Sequence, residues 1–270
     1  MPAADDRYVL ARGDEGAYRL QVVNSVHGPD TEALLLRAGL RPGLRVADIG
    51  CGVGAVTAWI AHEVGPDGQV VGVDLSPDQV RKAREHAETE GISNAQFVAG
   101  NATDTGLARE AFDLVFSRFV LMHLPDPAAA LREMRELVRP GGTLVCEDGD
   151  FTRPFCEPPS PAFDRTFELY RQIGERRGLD FRIGPKLYRM FLDAGFTEPE
   201  VTLAQPVFVR GDAKRLPEWT LTESAPALIE AGLAGAEEIM AVAAQMKALA
   251  EDETTLFGMA EMTQLWGIKR

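Results

Sequence analysis

Residues 46–54 read VADIGCGVG, and no other stretch limits the fold so tightly. Val46, Ala47 and Ile49 have the character of a buried strand end. Gly50, Gly52 and Gly54 follow at GxGxG spacing, and residues 55–62 carry the pattern of a helix behind the turn. Glycine belongs there because a Cβ would obstruct close approach of backbone to a ligand, and because tight turns often need positive φ. A helix start behind such a turn offers unpaired N–H groups to an anion or polar group. By itself the pattern is weak, since ordinary strand-to-helix loops also use glycine.

Two acidic residues add to it. Asp48 sits inside the strand end, where a nicotinamide or flavin fingerprint usually keeps an apolar residue, and the third glycine departs from GxGxxG spacing. Asp74 closes a second apolar run, 70–73, and lies 24 residues beyond Gly50. That is where a ribose-binding carboxylate is expected in a nucleotide-binding α/β fold. Further runs at 95–99, 113–117 and 142–147 are separated by helical patterns. Such βαβ alternation predicts a parallel sheet with helices on both faces, binding ligands beyond the carboxyl ends of its strands.

Five segments in order carry a family resemblance: VADIGCGVGAVT, VVGVDLSPDQV, FVAGNATDTGL (97–107), FDLVFSRFVLMHLPDP (112–127) and LVRPGGTLVCEDGD (137–150). Together the chain resembles a class I S-adenosylmethionine (SAM)-dependent methyltransferase, of the small-molecule group that includes quinone-biosynthesis and natural-product (secondary metabolism) enzymes. The resemblance is strong over about 40–150. It implies SAM as cofactor and a Rossmann-like, seven-stranded, mostly parallel sheet. It assigns cofactor contacts to Asp48, Gly50, Cys51 and Gly52 in the first motif and to Asp74, Leu75 and Gln79 in the second. Asn101 and Ala102 fall to the adenine; relatives often carry Asp at the Asn101 position, and Asn can accept through its amide oxygen. Ser117 and Arg118 follow strand four, where backbone carbonyls would hold the methionyl ammonium. Arg118 would bind a carboxylate or pair with a nearby acid. Tyr8, in a segment that folds over the cofactor in relatives, would stack on SAM or pack under a lid.

Catalytic candidates are fewer. His123, one turn into the helix after strand four, is either a structural histidine or a base near the methyl group. Asp148 and Asp150, at the end of strand five (143–147, after a turn at 140–142), would contact substrate or cap the next element. His27 reads as a loop residue. Asp30 and Thr31 are candidate N-caps for a helix over 32–38, stopped by Gly39.

Beyond 150, prolines break the pattern. Helices are expected at 162–178 and from Gly184-Pro185 to Ala194-Gly195, strand six at 199–209, and a last strand at 262–268. Some 40 residues, 212–251, separate the last two strands, and a segment that long has a structure or function of its own. The expected organisation is an N-terminal lid segment (1–42), a SAM-binding core (43–150), and a completion (151–270) with helical lid inserts at 150–180 and 212–250.

Net charge of −13 argues against nucleic acid as partner. Cys51, Cys146 and Cys156 lack CxxC spacing, so neither disulfides nor zinc is expected, and no His/Asp ligand cluster implies another metal. No leader and no apolar run near 18 residues is visible, so a cytoplasmic enzyme without a membrane span is expected. A small molecule is the expected partner, with a homodimer left open. Methyl transfer converts a sulfonium to a neutral thioether, and alignment can supply roughly 7–11 kcal/mol of such a barrier. Alternatives on the same fold are a SAM-assisted cyclisation or elimination and a non-catalytic SAM-binding scaffold. A nicotinamide oxidoreductase is disfavoured by Asp48 and the glycine spacing.

Overall fold

The apolar runs of the first half pair as parallel strands, and the helical patterns between them cover both faces. The computed structural model describes residues 13–270, with side chains from residue 18 onward; Tyr8 lies outside the described residues. In order the elements are α1 (Gly13–Arg37), β1 (Arg45–Ile49), α2 (Ala55–Val64), β2 (Gln69–Asp74), α3 (Pro77–Thr89), β3 (Ala95–Ala99), β4 (Phe112–Arg118), α4 (Pro127–Leu137) and β5 (Val138–Asp150). Then come β6 (Phe155–Glu157), α5 (Pro161–Arg176), α6 (Leu187–Asp193), β7 (Glu200–Ala204), β8 (Val207–Phe208), α7 (Leu216–Glu230), α8 (Ala236–Glu251), β9 (Leu256–Gly258) and β10 (Glu261–Ile268).

The main sheet has seven strands in the order β3-β2-β1-β4-β5-β10-β7. Strands β1 to β5 pair in parallel, and β10 runs antiparallel to both neighbours. Strand order reverses between β1 and β4, the switch point at which such sheets bind ligands. Leu34 and Leu35 of α1 and Ile60 of α2 pack with Val46, Leu114, Phe116 and Val145 of the sheet. Leu131 and Met134 of α4 and Phe191 of α6 share a second cluster with Ala47, Val115 and Leu144. These two clusters come from alternate residues of the same strands, which is why the runs are apolar throughout.

Several expectations are corrected. Asp30 and Thr31 cap nothing: α1 is one helix of 25 residues that passes through Pro29. His27 is accordingly a helical, buried residue and not a loop residue. Proline removes a helical N–H, but Leu34 and Leu35 are fully buried, and this packing overrides the local stop signal. Strand five begins at Val138; the expected turn at 140–142 lies inside β5, with Gly141 at φ +76° and a register shift against β4. Strand six ends at Ala204. After Gln205-Pro206 the chain leaves the main sheet, and β8 joins a second, three-stranded sheet in the order β6-β9-β8 that periodicity did not signal. His123 ends a short 3₁₀ turn (Leu121–His123), with α4 starting four residues later.

Strands β5 and β7 both pair antiparallel with β10, so they run the same way and end at the same edge. The segments that follow them, through β6 to α5 and through β8 to α7 and α8, thereby start at the carboxyl end of the sheet. Helices α5, α7 and α8 touch one another, and α7 touches α1. Lys214, fully buried between β8 and α7, donates to the carbonyls of Val209, Asp252 and Thr255 and ties this layer together.

Candidate cofactor and acceptor site

The first motif turns away from β1 with Gly50 at φ +80°, Gly52 at +54° and Gly54 at +81°. At Gly50 the requirement is double. The backbone is left-handed, and a Cβ would come within 2.1 Å of Val120 Cγ2. The amides of Gly50 and Cys51 donate to the Val73 carbonyl, at 2.7 and 3.0 Å, locking the turn to the end of β2. Gly52 N–H donates to Asp74 Oδ2 at 2.9 Å, and Ser76 N–H donates to Asp74 Oδ1 at 2.9 Å. Glycine turn and carboxylate therefore face each other across the switch point. A carboxylate oxygen can accept more than one hydrogen bond.

Asp48 is buried behind the turn and accepts from Thr57 Oγ1 at 2.6 Å. Burial pushes its carboxyl up to about 6, against the opposing hydrogen bond from Thr57. Cys51 is also buried, which raises its thiol well above the usual range and leaves it unreactive.

One cavity of about 710 Å³ contains this turn, within the size range of small-molecule sites. Asp48, Gly50, Cys51, Gly52, Asp74, Leu75, Gln79, Asn101, Ala102, Arg118 and His123 all line it. Ser117 and Asp150 do not. Ser117 lies inside the sheet, paired to Ile49 and Cys146, and Arg118 and Phe119 occupy the wall where it was expected. Asp150 accepts from the Thr152 amide and hydroxyl, at 2.8 and 2.6 Å, so it caps the next turn. Asp148 likewise stays behind the wall. It accepts from the Leu121 amide at 2.9 Å and supports the turn that carries His123. Burial pushes its carboxyl up to about 7, the surrounding backbone N–H groups opposing.

Other placements refine the expected roles. The Asn101 amide oxygen accepts from the Thr103 amide and hydroxyl, both at 3.0 Å, so its acceptor is engaged locally and its NH₂ group is what remains for a ligand. Gln79 keeps a buried side-chain oxygen without a hydrogen-bond partner among the described residues, at the cavity wall. Arg118 donates to Asn24 Oδ1 at 2.9 Å and to Thr31 Oγ1 at 2.8 Å, both on α1. The Thr31 hydroxyl stands 2.7 Å from Glu147 Oε2, and Gln264 Nε2 donates to Glu147 Oε1 at 3.0 Å. A buried acid is thus the relevant partner of Arg118, through Thr31. Burial raises the Glu147 carboxyl, and the Arg118 charge opposes this. His123 sits edge-on to Phe181 with ring centroids 5.5 Å apart; burial and the Arg19 charge hold it down to about 4, neutral at physiological pH.

The other end of the cavity is apolar. Val23 of α1 lines it with Phe119, Met122, Phe151, Phe167, Tyr170, Leu216 and Met259, while Leu20 stands over the glycine turn, its Cδ1 3.7 Å from where a Cβ on Gly52 would sit. Phe167 and Tyr170, on α5, form core and cavity wall together. Residues 1–42 were expected as a lid, but the individual α1 residues were not named as cavity lining, although Leu20, Val23, Asn24 and His27 stand at i, i+3, i+4 and i+7, the spacing of one helix face.

A glycine turn against a strand-end carboxylate, on a sheet with one antiparallel strand, defines the class: a class I SAM-dependent methyltransferase with SAM as its cofactor. The chain belongs to the methyltransferase-domain family, whose pattern matches residues 40–181, more than half of its length. It is similar to the uncharacterized 37.1 kDa protein in transposon TN4556 of Streptomyces fradiae, 32% identical over 196 residues, which are 72% of this chain and 56% of that protein. It is similar also to demethylmenaquinone methyltransferase of Geobacillus sp. (strain WCH70), 30% identical over 183 residues, 63% of this chain and 78% of the relative. The chain thus spans little more than half of one curated relative. Among solved structures, a putative methyltransferase from Bacillus halodurans C-125 superimposes with a TM-score of 0.63 at 21% identity, covering 89% of this chain and 99% of that one. Phosphoethanolamine N-methyltransferase 2 of Haemonchus contortus, in complex with SAM, gives 0.58 at 19% identity, covering 89% and 52%. Among the described residues no helix is long and apolar enough to cross a membrane.

Proposed function

We propose that this methyltransferase transfers a methyl group to O, N or C of a largely apolar small molecule, chiefly by holding cofactor and acceptor in line. The observation that carries this is the continuity of the cavity. A polar, backbone-built end runs without a wall into an end lined by Phe119, Phe151, Phe167, Tyr170, Leu216 and Met259. When bound, SAM supplies a methyl group on a sulfonium that becomes a neutral thioether on transfer.

Asp74, fixed by the Gly52 and Ser76 amides, would hold the ribose. Asp48, through Thr57, fixes the turn behind it. Leu75, Gln79, Asn101 and Ala102 bound the adenine end, and Arg118 the amino-acid end. Helices α1, α5 and α7 act as a lid that excludes water and selects the acceptor. His123 is neutral and held near pKa 4, so it orients the acceptor and is too weak to act as a strong base. The assignment to demethylmenaquinone of the Geobacillus relative supports an acceptor with a substantial apolar part, of quinone or natural-product type. Three buried, unpaired cysteines suit a reducing cytoplasm.

The test is calorimetry with SAM, followed by incubation with methyl-labelled SAM and a cell extract. Saturable SAM binding, label in a small organic molecule and matching S-adenosylhomocysteine are expected. Absence of SAM binding sinks the reading; SAM binding with turnover of a substrate but no S-adenosylhomocysteine would identify a non-methylating reaction.

A further inference from the structure

Beyond the cofactor, the polar atoms of the acceptor end are few, and one of them lacks a partner. His27 lies on the cavity face of α1, two turns from Leu20, and lines the cavity together with Val23 and Asn24. It is 5% exposed. Its Nδ1 is buried and has no hydrogen-bond partner among the described residues. The ring stands edge-on to Phe119, with centroids 5.0 Å apart. Phe119 itself has φ +54°, a conformation that costs a non-glycine residue energy and that recurs where a site over-determines the backbone. That backbone places the Phe119 ring between His27 and Phe151, whose ring centroid is 6.4 Å away.

Retaining an unpaired buried imidazole nitrogen is costly, and such groups call for a role. Purely apolar packing would be served better by leucine or phenylalanine. Neighbouring Arg118, already committed to Asn24 and Thr31, disfavours a second positive charge here, so the imidazole stays neutral with one nitrogen able to accept.

We propose that His27 is the polar anchor of the acceptor: its imidazole, which lines the cavity, hydrogen-bonds a hydroxyl or amino group on an otherwise apolar, ring-bearing small molecule lying against Phe119 and Phe151. His27 is on this view a specificity-determining residue that orients the acceptor, and the hydrogen bond moves no proton to it. The proposal rests on the proposed function above and deepens it by naming the substrate class.

The experiment compares two probes of equal shape, 2-naphthol and 2-methylnaphthalene, by fluorescence titration of the full chain saturated with S-adenosylhomocysteine. Saturation is checked first by calorimetry. If S-adenosylhomocysteine fails to bind, the methyltransferase reading falls; if it binds, the probes judge His27 alone. The wild-type protein is expected to bind 2-naphthol about tenfold more tightly, the worth of one neutral hydrogen bond in a dry site. His27→Leu is expected to abolish this preference while keeping S-adenosylhomocysteine affinity within about twofold, and His27→Gln to restore part of it. A measurement that needs no variant is the ¹⁵N resonance of the His27 imidazole, which should move with 2-naphthol and stay in place with 2-methylnaphthalene. Equal affinity of the two probes, a preference that survives in His27→Leu, an unmoved resonance, or no binding of 2-naphthol at millimolar concentration would each overturn the proposal.

Discussion

The two ends of the cavity are built on different principles. The cofactor end is made of backbone: left-handed glycines, strand-end amides and one carboxylate, from residues 48–54, 74–79 and 100–103. Its parts come from consecutive βα units and are fixed by ladder hydrogen bonds that tolerate almost no displacement. The acceptor end is made of side chains brought from α1, the end of β5, α5, α7 and the turn before β10, over more than two hundred residues of chain. Its surfaces are apolar and non-directional, so they can change in shape without loss of the fold. On the proposed function, the first end fixes what is donated and the second selects what receives it. Between them stands the turn of residues 119–123, with Asp148 beneath it.

Substitutions can break this division. The largest effect is expected at Gly50→Ala. Left-handed strain and the overlap with Val120 together cost several kcal/mol, so calorimetry should show SAM affinity reduced about a thousandfold. Next is Asp148→Asn, which tests the partition. The folded carboxyl titrates near 7, above its unfolded value, so its contribution to stability is fully present below about pH 4 and is lost as pH rises through 7. Chemical denaturation at pH 4 and pH 8 should show the wild type losing on the order of 2–4 kcal/mol more than the variant, in which Asp48 and Glu147 still contribute. If both lose stability equally, Asp148 is ionised throughout and the assigned environment is wrong.

Asp74→Ala should lower SAM affinity by well over tenfold with little change in melting temperature, and unchanged binding would refute its role. The smallest effect on the cofactor is expected at the other end. Leu216→Ala, in the α7 wall, should alter the range of acceptors methylated while SAM affinity stays within about threefold. A large loss of SAM binding there would mean that the two ends are not separable.

The sequence was most informative where local chemistry and position coincide. GxGxG after an apolar run, and an acid closing the next strand, pointed to the turn of Gly50 and Gly52 and to the strand-end Asp74 that meet in the structure, because a βα turn is specified by residues adjacent in the chain. The same reasoning misjudged Asp30 and Thr31, whose cap signals are overridden by burial of Leu34 and Leu35. It set Asp150 and Ser117 at the site because they end strands, although one caps its own turn and the other lies within the sheet.

By itself, then, the order of residues determined the parallel sheet, its switch point and the cofactor turn, since strand ends and glycines act over a few positions. Only the tertiary structure decided that α1 lends Asn24, His27 and Thr31 to the site, that Glu147 answers Arg118 through Thr31, and that Phe151, Tyr170 and Leu216 share one wall. Those contacts join segments far apart in the chain. The hydrophobic effect that brings them together depends on area and not on direction, so the pattern within one segment does not say which distant segment it meets.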